Sequence, residues 1–232
     1  MPDQPPMPIG ASFVLDHGFI RLVDCMGSDL SIVRNARVSY NAEWRAGKDE
    51  GSDEKLIRYL MANGHNTPFE AGVATFEIKA PIFVIRQWHR HRTQSYNEVS
   101  ARYTQLPSEY FLPEQSTITM QSSDNKQMRT SEQHPDANHM RTMMDMCNRR
   151  TFRVYEELLA LGCPRELART VLPLGTYTHM FATANLHNWL NFIRERLHEH
   201  AQYEIQVYAR EVAAALTEKF PVTMRIFREL NP

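Results

Sequence analysis

The feature that most constrains the fold is a short strand-like stretch followed at once by a helix-like one. Over residues 73–80, VATFEIKA, apolar and polar side chains alternate, which is typical of a β-strand buried on one face. The apolar face carries Ala74, Phe76 and Ile78, and the polar face carries Thr75, Glu77 and Lys79. A helix is predicted over residues 81–91, PIFVIRQWHRH, because Pro81 has no N–H to leave unpaired in a first turn.

Helical periodicity dominates the rest of the chain. A first helix is predicted over residues 53–64, with Ser52 or Asp53 as its N-cap and Gly64 at its end. Further helices are predicted over residues 140–162, 164–172, 185–198 and 201–220, and a further strand over 176–184. Because strands come early and helices late, the predicted class is α+β, an antiparallel sheet flanked by helices, rather than a parallel α/β sheet.

The longest predicted helix carries a stripe of mostly apolar side chains at a spacing of three or four. The stripe comprises Met140, Met144, Cys147, Thr151, Tyr155 and Leu158. A methionine stripe of this kind belongs to a core or a subunit interface far more often than to a cofactor site.

Two segments lack periodicity. Residues 1–11 are proline-rich and predicted to be irregular, and residues 113–136 are polar and aperiodic, which predicts a mobile loop. Neither divides the chain by composition, so residues 1–232 are predicted to form a single domain. A chain of 232 residues is long enough to bury one good core or two small ones.

Net charge and cysteine content limit the partners and the location of the protein. The formal net charge is -1, whereas a general binder of nucleic acid or of anionic membranes would show a basic excess. The first residues do not resemble a signal peptide, and no stretch has the apolar length of a membrane span. Cys25, Cys147 and Cys163 are far apart, which predicts reduced thiols in a cytoplasmic protein.

A dense set of hydrogen-bond donors lies in residues 86–103, RQWHRHRTQSYNEVSARY. Arginine can bind phosphate or carboxylate through two parallel donors, and Glu98 can accept from a ribose hydroxyl or an amide-type N–H. The chain has nine glycines and neither G-x-G-x-x-G nor G-x-x-x-x-G-K-[ST], so side chains would have to hold a phosphate-bearing ligand. The alternative interpretation is a solvated helix end with surface arginines.

The order of residues in this stretch resembles the signature of the flavin-dependent thymidylate synthases. That signature is Arg-His-Arg, seven residues and a serine, which corresponds here to residues 90–92 and Ser100. Other blocks that resemble the family, in the right order, are ARVSY (37–41), GHNTPFE (64–70), PRELARTVLP (164–173), NLHNWLNF (185–192) and RLHEHAQYE (196–204). The resemblance extends over residues 14–225.

The resemblance implies an enzyme that makes dTMP from dUMP. Methylenetetrahydrofolate would supply the carbon, and FAD, reduced by NADPH, would supply the hydride, while the protein orients the reactants and stabilises charge. It also implies the family's α+β fold, which binds FAD without a glycine-rich motif, and a homotetramer with active sites at subunit interfaces. No enzyme nucleophile, nucleic-acid partner or membrane partner is implied.

Matching the blocks position by position assigns roles to individual residues. Arg196 would stabilise charge that develops on the uracil ring, and His65 would lie near the flavin and the folate. The FAD site would comprise Thr67, Glu70, Arg90, His91, Arg92, Glu98, Asn185, His187, Asn191 and His200. The dUMP site would comprise Gln87, Arg90, Glu98, Val99, Ser100, Ala101, Arg102, Tyr103, Arg169 and Arg196.

Nucleophilic and metal chemistry are not predicted. No His–Asp relay accompanies Ser100, which is therefore assigned to substrate binding, and no cysteine lies in a block that would suggest a thiolate nucleophile. The pairs His89/His91 and His198/His200 could each bind zinc, but a catalytic zinc usually has a third protein ligand, so no metal site is expected.

Two positions depart from the family pattern, and two other functions stay open. Ala101 stands where relatives often have glycine, and His89 stands where they often have an aromatic residue. One alternative is a flavoprotein of the same fold without dUMP turnover. The other is a nucleic-acid-binding module, because arginines interleave with Trp88, Tyr96 and Tyr103, although the net charge speaks against it.

Overall fold

The computed structural model describes residues 7–231, and its central element is a five-stranded antiparallel sheet. The strands are β1 (Ser12–Val14), β2 (Gly18–Met26), β3 (Val73–Pro81), β4 (Ser95–Glu98), β5 (Thr119–Gln121), β6 (Arg129–Gln133) and β7 (Tyr177–Asn185). The sheet has the order β1-β2-β3-β7-β4, and β5 and β6 form a separate two-stranded hairpin. Every pairing is antiparallel, so the predicted fold class is confirmed.

Helices cover one face of the sheet and extend beyond it. They are α1 (Asp29–Arg37), α2 (Glu50–Ala62), α3 (Ile82–Trp88), α4 (Ala137–Ala160), α5 (Arg165–Ala168), α6 (Leu186–Leu197), α7 (Tyr203–Lys219) and α8 (Pro221–Leu230). Short 3-10 segments lie at Val38–Tyr40, Glu43–Arg45, Thr67–Ala71, Gln115–Thr117 and Arg169–Val171. Within residues 7–231, no helix is both long and apolar enough to cross a membrane.

The two predicted strands, β3 and β7, are paired with each other within the sheet. Their register runs from Val73 opposite Asn185 to Pro81 opposite Tyr177. The predicted apolar face of β3 is buried, and Phe76 and Ile78 are at most 1% exposed. The alternation in residues 73–80 therefore identified β3 and the face of it that meets the core.

Glu77 is the exception to the predicted polar face of β3, because it is buried rather than exposed. The neighbouring strands supply its partners: Arg21 of β2 contacts one carboxylate oxygen, and His179 Nε2 of β7 lies 2.8 Å from the other. A buried carboxylate needs such partners, since an unpaired charge is costly away from water. The burial of Glu77 follows from strand order, which alternation alone does not give.

The helix predicted over residues 81–91 is shorter than expected and is followed by an unpredicted strand. Pro81 is the last residue of β3 and the N-cap of α3 rather than its predicted first residue, and α3 ends at Trp88. The Tyr96 hydroxyl donates to the carbonyl oxygens of Trp88 and His91, at 3.1 and 2.8 Å, and so holds the chain in a turn. The chain then extends as β4, which pairs with the edge of β7.

The segment 113–136 is not wholly a loop, which corrects the prediction. It contains the hairpin of β5 and β6, in which Thr119 pairs with Gln133 and Gln121 with Arg129. The sequence did not predict the hairpin because most of it is exposed on both faces. Without a buried face, polar and apolar residues need not alternate along its strands. Arg129 anchors it to the rest of the protein through an ion pair with buried Glu204, 2.7 Å from Nη2 to Oε1.

The other predicted helices are present, with shifted ends. Helix α2 begins earlier than expected, because the carboxylate of Asp49, rather than Ser52 or Asp53, accepts the Ser52 N–H at 3.1 Å. Gly64 does follow its end in a left-handed conformation, φ 68°. The strands β1 and β2 and the helices α1 and α8 were not predicted. Residues 7–11 are irregular as expected, whereas the rest of the predicted irregular segment, residues 1–6, lies outside the described residues.

The core lies between the sheet and the helices α3, α6 and α7, and it is rich in aromatic rings. Trp88 packs on Phe192 with ring centroids 4.5 Å apart, and Phe76 meets Trp189 edge-on at 4.9 Å. A small second cluster joins α4 to α5 through Phe152, Tyr155 and Ala168. Of the stripe on α4 only Tyr155 is buried, so the stripe is not core within this chain, and a subunit interface stays a prediction for it.

Candidate active site

The best-defined polar contact among the predicted site residues joins His91 and Arg196. Helix α6 starts with Asn185, whose side-chain oxygen accepts the Asn188 N–H at 2.9 Å, and it ends just after Arg196. Arg196 Nε donates to His91 Nε2 at 2.9 Å, and its Nη2 donates to the Gln87 carbonyl oxygen at 3.1 Å. The guanidinium is thus fixed by two contacts to the segment that carries the Arg-His-Arg signature.

The environment of this contact keeps His91 neutral. Its ring lies edge-on to Phe192, with centroids 4.9 Å apart. Burial lowers the pKa of His91 to about 4, with the charge of Arg196 adding to the shift and Glu195 opposing it. A neutral Nε2 can accept the Arg196 N–H, so the ring proton resides on Nδ1. Burial also lowers the pKa of Arg196 from its ordinary value, opposed by Glu195, but a guanidinium stays charged.

Most residues assigned to dUMP lie in two further groups. One is the end of β4 with the loop that follows it, and the other is the 3-10 segment after α5. Glu98, at the end of β4, accepts the Thr178 hydroxyl at 2.6 Å, and His89 lies 4.0 Å from its other oxygen. The Val99 N–H donates to the His179 carbonyl at 2.8 Å, which holds the following loop against β7. Arg102, in that loop, pairs with Glu166 of α5 at 3.2 Å, both side chains being about half exposed.

Ser100, Ala101 and Tyr103 of the predicted dUMP set lie on the same loop, and Arg169 lies on the 3-10 segment that follows α5. Ser100 Oγ accepts the Arg102 N–H at 3.3 Å, Ala101 is buried, and Tyr103 is 82% exposed. Arg169 is exposed in the 3-10 segment that continues α5. Since α5 carries the partner of Arg102, the structure brings these two arginine-bearing segments to one side of the protein.

The residues assigned to FAD are divided between the two ends of α6. At its start lie Asn185, His187 and Asn191, beside the 3-10 segment that holds Thr67 and Glu70. At its end lie the exposed Arg90 and Arg92, with His91, Glu98 and His200. Nine residues of helix separate His187 from Arg196, a rise of about 14 Å. One chain therefore does not gather the assigned FAD residues into one compact pocket.

A cavity of about 300 Å³ lies at the start of α6. His187 and Asn191 line it together with Asn66 and apolar residues of α2 and α8. Asn191 Nδ2 lies 3.1 Å from His187 Nε2, and its Oδ1 accepts from Arg194 at 2.9 Å, so the two assigned side chains are held together. His65 is exposed nearby, at the end of α2, with its ring 5.7 Å from that of Tyr59.

His65 and Arg196, the two predicted catalytic residues, are therefore at opposite ends of α6 within one chain. His200 also has an unexpected neighbour, since its Nδ1 lies 2.9 Å from the sulfur of Met128 in the hairpin. Within one chain, these placements do not bring the predicted catalytic residues together.

Two site residues escaped the sequence analysis. Thr178 donates to Glu98 from the predicted strand 176–184, where it lies opposite Ala80 on the buried face of β3. This position is known only once the strand order is known. Gln202 accepts from the side chain of Gln87 and donates to Glu204 at 2.8 Å. Gln202 lies within the block 196–204, but nothing in the sequence indicates that it contacts Gln87.

Other chemistries find little support in this part of the chain. Across residues 7–231, no cluster of three or more His, Cys, Asp or Glu side chains is placed to hold a metal ion. The three cysteines are unpaired thiols, and burial raises the pKa of Cys25. A thiol with a raised pKa carries less of the nucleophilic thiolate at neutral pH.

Comparisons with known proteins identify the family of this chain. The model of the Thy1 family, thymidylate synthase complementing protein, matches residues 21–222. The flavin-dependent thymidylate synthase of Thermotoga neapolitana is 45% identical over 214 residues, 92% of each chain. The enzyme of the same name from Thermosipho africanus is 42% identical, again over 92% of each chain.

A solved structure shares both the fold and much of the sequence. The UMP/dUMP methylase PolB of Streptomyces cacaoi, crystallised with 5-Br dUMP, superposes with a TM-score of 0.85 at 33% identity, covering 93% of this chain and 97% of PolB. Its complex with 5-Br UMP gives 0.84 at the same identity. Family model, relatives and fold coincide, and the chain belongs to the Thy1 family of flavin-dependent thymidylate synthases.

Proposed function

We propose that this enzyme converts dUMP to dTMP, taking the carbon from methylenetetrahydrofolate and the hydride from FAD that NADPH has reduced. The contact that carries this proposal is the one between Arg196 and His91. It holds a permanent cation in one orientation before any ligand binds, which is what stabilisation of a developing negative charge requires. A pyrimidine ring placed against this guanidinium would gain reactivity without a covalent bond to the protein.

The substrate assignment draws on the relatives and on the side chains of the residues assigned to dUMP. PolB is named a UMP/dUMP methylase, and the relatives from Thermotoga and Thermosipho are named flavin-dependent thymidylate synthases. Glu98, held by Thr178, offers an acceptor for a sugar hydroxyl, and the exposed Arg102 and Arg169 offer donors for a phosphate. These groups are the ones a nucleoside monophosphate needs.

The donor set also fits a flavin dinucleotide. Arg90 and Arg92 are exposed and have no ion-pair partner among residues 7–231, so both are available to a pyrophosphate. The flavin supplies the redox step when bound, while His91, His187 and Asn191 would orient it. Division of the assigned residues between the ends of α6 supports a dinucleotide held between chains of a homotetramer.

No side chain near the proposed pyrimidine site is activated as a nucleophile. Ser100 Oγ accepts a backbone N–H, and no histidine or carboxylate contacts it among the described residues. A serine without a base is a weak nucleophile. Binding is therefore the role we propose for Ser100.

The test is dTMP formation from dUMP by the purified, flavin-loaded enzyme with methylenetetrahydrofolate and NADPH. The Arg196→Ala variant should lose activity by about 100-fold or more, because one preorganised charge contact contributes on that order. Arg210→Ala is the matched control, since Arg210 is exposed on α7 and, within residues 7–231, its side chain hydrogen-bonds Gln206 alone. It should retain normal turnover.

Two other results would redirect the assignment. A yellow protein without dTMP formation would leave a flavoprotein of this fold that has lost dUMP turnover. An Arg196→Ala variant with most of its activity would show that another residue stabilises the pyrimidine.

A further inference from the structure

We propose that Glu204 fixes the hydrogen-bond polarity of Gln87 and so makes the Gln87 side chain an acceptor for a donor group of the bound nucleotide. Glu204 lies in the first turn of α7 and is 2% exposed. It would act as a positioning residue, without touching the substrate itself. The inference rests on the proposed function, because it assumes that a pyrimidine nucleotide binds beside Gln87.

Glu204 belongs to a chain of four hydrogen-bonded side chains that runs from Arg129 to Gln87 at the proposed site. Arg129 Nη2 donates to one carboxylate oxygen of Glu204 at 2.7 Å, and Gln202 Nε2 donates to the other at 2.8 Å. The amide of Gln87 in turn donates to Gln202 Oε1. The Gln87 backbone carbonyl accepts from Arg196, so the last member of the chain adjoins the cation that the proposal places at the pyrimidine.

The ends of this chain determine the direction of every bond in it. A guanidinium can only donate and a carboxylate can only accept, whereas either end of a glutamine amide could face a neighbour. Because Glu204 only accepts, Gln202 must present its NH2 group to it and its oxygen to Gln87. Gln87 must then present its NH2 group to Gln202.

The consequence is a free carbonyl oxygen on Gln87. Within residues 7–231, the structure shows no donor to Gln87 Oε1. Since Arg196 contacts the backbone of the same residue, an acceptor on the Gln87 side chain would select a ligand that offers a hydrogen-bond donor as well as a group for the cation. In a dUMP-like nucleotide that donor is either the ring N3–H or a sugar hydroxyl.

The substitution Glu204→Gln should reverse the chain. Its new amide would direct its oxygen toward Arg129 and its NH2 group toward Gln202, which would turn Gln202 and then Gln87. Gln87 would present NH2 to the nucleotide, donor against donor. The dissociation constant for dUMP, measured by titration of the flavin-loaded enzyme, should rise about tenfold.

A second substitution provides a test that a merely structural role would not pass. Gln87→Glu alone should weaken dUMP binding, because a carboxylate would face the Gln202 oxygen. In the Glu204→Gln background the reversed Gln202 presents NH2, so the carboxylate introduced at position 87 would again have an oxygen free for the nucleotide. The double variant Glu204→Gln/Gln87→Glu should therefore bind dUMP more tightly than either single variant.

Two further variants separate polarity from stability. Asp53→Asn makes the same carboxylate-to-amide change in another buried pair, with Arg37, and should leave dUMP binding unchanged. Gln202→Leu, at an exposed position, leaves the Arg129–Glu204 pair in place and removes only the relay. It should also weaken dUMP binding, and it keeps the test available if Glu204→Gln does not fold.

Analogues identify which donor faces Gln87. If it is the ring N3–H, dCMP, which carries an acceptor at that position, should bind Glu204→Gln more tightly than the wild type. If it is the sugar, 2′,3′-dideoxyuridine monophosphate should bind wild type and Glu204→Gln equally. The inference would be overturned if dCMP did not bind Glu204→Gln more tightly than the wild type and 2′,3′-dideoxyuridine monophosphate still bound the two proteins unequally.

The failure of the inference can be told apart from the failure of the proposed function. A wild type that binds no dUMP would refute the proposed function. A wild type that binds dUMP, with Glu204→Gln or Gln202→Leu binding it equally well, would overturn the relay. So would a double variant that binds no better than Glu204→Gln.

Discussion

At the scale of single residues, the contact between His91 and Arg196 predicts a pH dependence of stability. The pKa of His91 is about 4 in the folded protein, against an ordinary value of 6.5. Between these values the unfolded chain binds a proton that the folded chain does not, so the free energy of unfolding should fall as the pH drops from 6.5 toward 4. Partial solvent exposure of the ring limits the loss to about 1–2 kcal/mol.

The measurement is urea unfolding of wild type and His91→Gln at several pH values between about 4 and 7, the range that spans the two pKa values. Glutamine keeps an acceptor for Arg196 but does not titrate, so other ionisable groups cancel in the difference between the two proteins. The wild type should lose stability relative to the variant as the pH falls. A constant difference would show that His91 titrates normally.

Most of the candidate site could be proposed from sequence, but its contacts could not. Residue order identified Arg196 and His91, yet nothing in the order shows that one donates to the other across an interval of more than a hundred residues. Thr178 and Gln202 were missed because their roles depend on which strands and loops are neighbours. The spacing of residues along the chain predicts local geometry. Which residues of different elements contact each other is known only from the fold.

At the scale of elements, the ion pair between Arg129 and Glu204 anchors the hairpin of β5 and β6. Arg129→Met would leave Glu204 buried without its cation, and removing one partner of a buried pair typically costs about 3–5 kcal/mol. Because the side chain of Arg129 is 36% exposed, we expect the lower end of that range. Urea unfolding measures the loss, and hydrogen exchange should show faster exchange in the hairpin amides.

Arg149→Met is the matched control for this prediction. Arg149 pairs with Asp145 one turn earlier on α4, and its side chain is 71% exposed. An exposed pair of this kind contributes little to the free energy of unfolding, so Arg149→Met should lose much less stability than Arg129→Met. Equal losses in the two variants would contradict the structural role assigned to Arg129.

Several elements with a buried face could be predicted from the sequence, although β1, β2, α1 and α8 were missed, and the elements without a buried face could not be predicted. Strands β3 and β7 and the helices α6 and α7 present apolar residues at the period of their secondary structure. The hairpin has almost no buried side chain, and the short β4 owes its strand conformation to pairing with β7. Local pattern reflects burial, and these two elements are specified by tertiary contacts instead.

At the scale of the whole molecule, the sheet has a second face that the helices of its own chain leave open. Cross-strand register places Phe13 and Phe19 in one row with His179, and Phe181 in the next. Phe13 is 70% exposed and Phe181 37%. Phenylalanines grouped on an open sheet face are typical of a surface covered by another subunit. We therefore expect this face to contribute to the proposed homotetramer.

The prediction is that Phe13→Asp with Phe181→Asp reduces the mass of the assembly measured by light scattering below that of a tetramer. Flavin content should fall with it, since the residues assigned to FAD lie at both ends of α6 and would need a second chain to meet. Arg210→Asp is the control, because Arg210 is exposed on α7, outside the sheet. It should leave mass and flavin content unchanged. A double variant that dissociates but retains its flavin would place the whole cofactor site within one chain, and an unchanged mass would exclude this face from the assembly.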